Sequence, residues 1–128
     1  MKTLIRDGKI VTATDLWRGD ILVEDEKIAM LGADLSQVAA DRTIDAKGRY
    51  VLPGGIDVHT HLDWEFGPTQ TVDTFETGTK AAAFGGTTTL IEFCTQTAGN
   101  RPLVGLEDWP KRRASACVDV GPHMIRLD

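Results

Sequence analysis

Residues 53–63 read PGGIDVHTHLD, and the chain changes its grammar there. His59 and His61 are two of only three histidines in 128 residues, set one residue apart in a short apolar run behind a Pro-Gly-Gly entry. Side chains alternate along a strand, so residues i and i+2 share a face about 6–7 Å apart. The spacing predicts that Asp57, His59, His61 and Asp63 point one way, and Ile56, Val58 and Leu62 the other. Two imidazoles on one face can converge on a single cation, and imidazole nitrogen is a preferred zinc donor. Asp57 and Asp63, two residues to either side, are candidates to orient a ring or fix its tautomer. The plainer reading is a pair of polar residues at a strand end. The context favours a metal, because parallel α/β folds carry their sites at the C-terminal ends of strands.

Working outward from this strand, residues 71–86, TVDTFETGTKAAAFGG, predict a helix with a capping box of Asp73 and Glu76 and a Gly85-Gly86 stop. TTTLIEFC, residues 87–94, is β-branched and apolar on both faces, the pattern of a strand covered on both sides. Residues 103–116 read as a second helix that Pro110 kinks or restarts, and VDVGPHMI, residues 118–125, as a third strand. Strand, helix, strand, helix, strand gives βαβ units and a parallel sheet. Upstream, the chain is written in short strands. Asp7-Gly8 predicts a hairpin, Glu24 to Lys27 a second turn, and Lys47-Gly48 the turn of another strand pair. These make a small sheet or half-sandwich that ends near Pro53.

Composition narrows the function. A net charge of −5 lacks the clustered Lys and Arg of a nucleic-acid surface. The single basic run, Lys111-Arg112-Arg113, reads as a solvated helix face. No apolar stretch reaches the roughly 20 residues that span a bilayer, and no secretory core is visible at the start. Two cysteines, Cys94 and Cys117, suit reduced thiols in a cytoplasmic protein.

Residues 44–63, IDAKGRYVLPGGIDVHTHLD, resemble the opening signature of the amidohydrolase superfamily, and 71–93, TVDTFETGTKAAAFGGTTTLIEF, resemble its dihydropyrimidinase and hydantoinase branch. The likeness runs from the first strand to about Met124. It implies an α/β fold: residues 1–52 as the N-terminal part of a β-sandwich, and 53–128 as the first strands and helices of an incomplete (β/α)₈ barrel. It implies two divalent metals, usually zinc, that activate a bridging hydroxide to open a small cyclic amide such as a dihydropyrimidine or hydantoin. His59 and His61 match the pair that binds one metal. Trp64 and Phe66 fall in the loop that gates substrate entry, where either could equally pack the loop onto the barrel. Glu65 and Pro68 depart from the residues common in that loop. The resemblance also implies a homotetramer.

The ligand set is short. A catalytic zinc site uses three protein ligands and an open position. Nothing after residue 64 matches the bridging lysine, later histidines and aspartate that the resemblance implies. His123 and Glu92 read as packed residues inside the sheet, with Glu92 a possible outer partner of the site. A barrel takes roughly 250 residues, and GPHMIRLD reads as an interrupted chain. The sequence is therefore expected to be an N-terminal portion, inactive alone. The competing readings are an allantoinase- or dihydroorotase-like member of the superfamily, and a metal-free scaffolding relative.

Overall fold

A computed structural model describes residues 1–96, 99 and 101–126; Leu127 and Asp128, in the expected interrupted ending, lie outside them. The chain divides into two compact units, Met1–Pro53 and Gly54–Asp128.

The first unit is one five-stranded sheet. Strands β1 (Lys2–Val11), β2 (Leu16–Glu24) and β3 (Lys27–Gly32) are antiparallel neighbours, while β4 (Arg42–Asp45) and β5 (Tyr50–Val51) both run parallel to β1. The β2–β3 hairpin turns at Asp25-Glu26, both with positive φ, within the predicted Glu24–Lys27 turn. The predicted hairpin at Asp7-Gly8 does not form. Strand β1 runs through it, and the pairing with β2 shifts register between Ile5 and Gly8, so the positive-φ Asp7 makes a bulge. The buried carboxylate of Asp20 holds this bulge: it accepts the Asp7 N–H at 2.8 Å and the Leu35 N–H at 2.9 Å. Lys47-Gly48 likewise turns no hairpin. It is an excursion opposite the bulge, where Arg6 and Asp7 carbonyls accept the Ala46 and Gly48 N–H groups. The strands on either side of it therefore join β1 in line and do not pair with each other. Leu4, Leu22 and Leu35 form the small core.

The second unit is a parallel sheet in the order β10-β9-β6, built from β6 (Gly55–Thr60), β9 (Thr87–Thr95) and β10 (Asp119–Ile125). A two-residue hairpin, β7 (Glu65–Phe66) with β8 (Thr69–Gln70), and helix α1 (Phe75–Phe84) lie between β6 and β9. The helix starts one residue later than predicted. Thr74 is its N-cap, and Thr74 and Thr77 exchange side-chain and backbone hydrogen bonds. Asp73 instead accepts the Thr77 hydroxyl, and Glu76 pairs with Lys80 one turn on. Gly85 and the positive-φ Gly86 stop the helix as expected.

The predicted second helix is broken into a 3₁₀ turn at Pro102–Leu106, a short α2 (Trp109–Arg112) and a further 3₁₀ turn at Arg113–Ser115. Pro110 sits in the first turn of α2, where its missing N–H costs least. Arg112 is not on a solvated face: its guanidinium lies over the rings of Phe75 and Trp109, 5.6 and 5.7 Å from their centroids. One core, on the helix side of the sheet, gathers Leu62, Phe75, Leu90, Cys94, Trp109 and Val120. Helix α1 can approach Leu62 this closely because Gly78 has no Cβ; one added there would collide with the Leu62 side chain. Strand β9 is covered on that face alone, since Leu90, Glu92 and Cys94 are buried while Ile91 and Phe93 are half-buried.

Phe75 is fully buried at the centre of this core. Phe75→Ala is predicted to lower the unfolding free energy by about 3–5 kcal/mol, read from urea unfolding. A loss below about 0.5 kcal/mol, the level of an ordinary surface change, would show that the residue does not hold helix to sheet.

Candidate metal centre

Strand β6 was expected to be buried and strictly alternating, and it is neither. Gly55 pairs with Thr87 and Ile56 with Thr89, an extra step in β9; Asp57 pairs with Leu90, and the next pairing is Thr60 with Glu92, an extra step in β6. Three steps along β6 match two along β9, so β6 bulges by one residue and its alternation resets. Ahead of the bulge, Asp57 lies beside buried Leu90 and Ile56 lies on the opposite, open face, 65% exposed. After it, Thr60 and Leu62 take the helix face, and His59 and His61 take the open one.

The two imidazoles are thus brought together, with ring centroids 5.2 Å apart and planes at 82°. Both rings are exposed. Phe93 of β9 lies against both, 4.6 Å from His59 and 5.1 Å from His61. His123, beside Phe93 in the β9–β10 register, stacks on it at 4.7 Å. His123 is exposed, so the expectation of a packed core histidine is corrected: it belongs to the same open face as the pair. The sequence reading overlooked Phe93. Its signal was the alternation of β9, which sets Phe93 opposite Glu92, but only the register shows which histidines it meets.

Trp64 is half-buried, and its ring lies 4.9 Å from His61. Phe66 sits in the β7–β8 hairpin, 73% exposed and beside the positive-φ Gly67. Of the two gate candidates, then, Trp64 lies against His61 and Phe66 projects from the loop. The loop is pinned at both ends. The Asp63 N–H donates to the Asp73 carbonyl, and the Asp63 carboxylate accepts the Phe75 N–H at 2.9 Å.

The expected same-face carboxylates are therefore corrected. Asp57 lies across the bulge from the pair, and its Oδ1 accepts the His59 backbone N–H at 3.1 Å. Asp63, at φ 48°, has left the strand and satisfies the start of α1. Asp57 thus holds the backbone N–H of a histidine, whereas Asp63 holds the first N–H of α1.

Behind the pair, Glu92 is completely buried. Its Oε2 is 2.9 Å from the Thr60 hydroxyl and accepts the Leu62 N–H at 2.9 Å, while Oε1 has no partner among the described residues. Burial pushes the carboxyl above the usual carboxylate range, against the opposing effect of these two hydrogen bonds.

Two exposed imidazoles on one face at this separation suit a shared divalent cation. Among the described residues, no group of three His, Cys, Asp or Glu side chains is gathered to hold an ion. His59 and His61 are thus two candidate donors, with no third gathered beside them among the described residues.

The sequence model of the amidohydrolase family matches residues 42–116. A D-hydantoinase from Geobacillus stearothermophilus is 51% identical over 126 residues, 98% of this chain and 26% of that protein. A dihydropyrimidinase from Rattus norvegicus is 39% identical over 96% of this chain and 25% of its own length. The crystal structure of a dihydropyrimidinase from Brevibacillus agri superposes with a TM-score of 0.93 at 47% identity, covering all of this chain and 28% of that one. The chain spans about a quarter of the length of the curated relatives it matches. With the family match lying across the histidine strand, α1 and β9, the chain belongs to the amidohydrolase family.

Proposed function

We propose that this chain supplies the His59–His61 pair to a metal-dependent hydrolase of the relatives' length, which opens the ring of a cyclic ureide or imide such as a dihydropyrimidine or hydantoin. The observation that carries this reading is the pair itself: two imidazoles side by side on the open face where β6 ends, in a chain about half identical to a D-hydantoinase. In this reading, the parallel sheet of the second unit is the start of a (β/α)₈ barrel, and the first unit is part of a β-sandwich.

Divalent metal held there, two zinc ions by this proposal, would polarise the scissile carbonyl and make water a nucleophile near neutral pH. His59 and His61 serve as neutral nitrogen donors, which requires each ring to present an unprotonated nitrogen. Trp64 covers one side of His61 and limits the approach of the ring substituent. Asp63 ties the two ends of the gate loop to each other across residues 64–72. A cytoplasmic homotetramer completes the proposal. No helix among the described residues is long and apolar enough to cross a membrane.

Three measurements test it. The 128-residue chain alone is predicted to hold little tightly bound zinc, because two imidazoles fall short of a three-ligand site; elemental analysis giving close to two zinc ions per chain would overturn the two-donor reading. In an enzyme of the relatives' length carrying this sequence, His59→Ala and His61→Ala are each predicted to lose metal and metal-dependent turnover. Near-normal activity would remove both residues from the site. Trp64→Ala is predicted to change the ranking of ring substrates while metal content stays at the wild-type level, and the reverse result would make Trp64 a support of the metal and not of the gate.

A further inference from the structure

We infer that Glu92 is the positioning residue of the metal pair, a clamp that holds His61 in place from the opposite face of the sheet. This rests on the metal reading above. His61 lies between Thr60 and Leu62, and both neighbours reach the same Glu92 oxygen at 2.9 Å. One atom therefore holds the side chain immediately before the ligand and the backbone N–H immediately after it.

The clamp acts where the ordinary ladder gives out. β6 ends at Thr60, one residue after the bulge, and the Leu62 N–H is taken by a side chain where a regular sheet would use a backbone carbonyl. The Thr60 hydroxyl also lies 3.1 Å from the Ile91 carbonyl, so the contact stays tied to β9. Thr60 beside Glu92, and not beside Phe93, is the register that sends His59 and His61 to the open face.

A purely structural role is a weak account of this carboxyl. An apolar residue would fill the site between Leu90 and Cys94 without burying an oxygen that lacks a partner. What an apolar residue cannot do is accept two hydrogen bonds that straddle His61. Catalytic constellations tolerate displacements of only about 0.5 Å, and loss of groups that orient metal ligands typically costs about 10–100-fold in affinity or activity.

The test uses an enzyme of the relatives' length loaded with cobalt(II), whose visible spectrum reports ligand geometry. Glu92→Leu is predicted to lower kcat about 10–100-fold, to move KM far less, and to shift the cobalt spectrum. Glu92→Gln keeps a carbonyl oxygen able to accept both bonds, and is predicted to restore the spectrum and most of kcat. Thr60→Val, which removes one of the two bonds at nearly constant volume, is predicted to shift both in the direction of Glu92→Leu but less. It carries the test alone if Glu92→Leu does not fold. Variants that lower thermal stability yet keep the wild-type spectrum and kcat overturn the clamp, as does a Gln variant as impaired as the Leu one. A wild-type enzyme without metal, or a His61→Ala enzyme that keeps it, overturns the metal reading and the clamp with it. Metal lost on His61→Ala, with Glu92→Leu and Thr60→Val unchanged, overturns the clamp alone.

Discussion

The arrangement of the second unit depends on the register of β6 against β9, which two offsetting shifts set. Between Asp57 and Thr60, β6 takes three steps while β9 takes two. Between Gly55 and Ile56 it is β9 that takes the extra step, from Thr87 to Thr89, so Thr60 meets Glu92 as it would in an unbroken ladder from Gly55 with Thr87. The second shift undoes the first. It delivers both imidazoles to the open face and hands the helix face to Thr60 and Leu62, which have a buried carboxylate and an apolar core to meet. Bulges commonly re-aim a side chain beside a site, and here the energetic reasons for the re-aiming can be named. Leu62 gains burial against Phe75 and Leu90, and two polar groups gain a shared acceptor.

This explains what could be read from residues alone and what could not. That His59 and His61 share a face follows from their i, i+2 spacing, and it holds because the bulge lies ahead of both. Asp57, on the far side of it, was assigned to the wrong face for the same reason: a sequence shows periodicity, not the residue at which a partner strand breaks it. Asp7-Gly8 fails alike. The pair carries the chemistry of a tight turn, but buried Asp20 can accept the Asp7 N–H, and the strand continues through a bulge. Both misreadings concern pairing register, which is set by groups distant in sequence. Gly85-Gly86 and the Asp25-Glu26 turn were legible because their cause is local, in positions that need positive φ or an end to helix.

The pairing of the two imidazoles was legible for a physical reason. Two imidazoles on one strand are a local pattern, whereas their neighbours come from strands brought near by topology. Phe93 and His123 show the limit in miniature. Each was visible as a residue, but only the β9–β10 register stacks one upon the other beside the pair.

Four consecutive residues after the bulge hold four separate relations. Thr60 meets Glu92, His61 faces the open side against Phe93 and Trp64, Leu62 enters the core, and Asp63 takes the first N–H of α1. The positive φ of Asp63 lets the chain turn toward the helix directly after Leu62 is seated. The site, the core and the helix start are therefore spaced at single-residue intervals along one backbone, with no slack between them. Any shift in β6 pairing would move all four at once, and would bury an imidazole as it exposed Leu62. The hydrophobic cost of exposing that leucine, about 1.5–3 kcal/mol, opposes such a slip. Packing on the helix face thus guards the geometry of the open face.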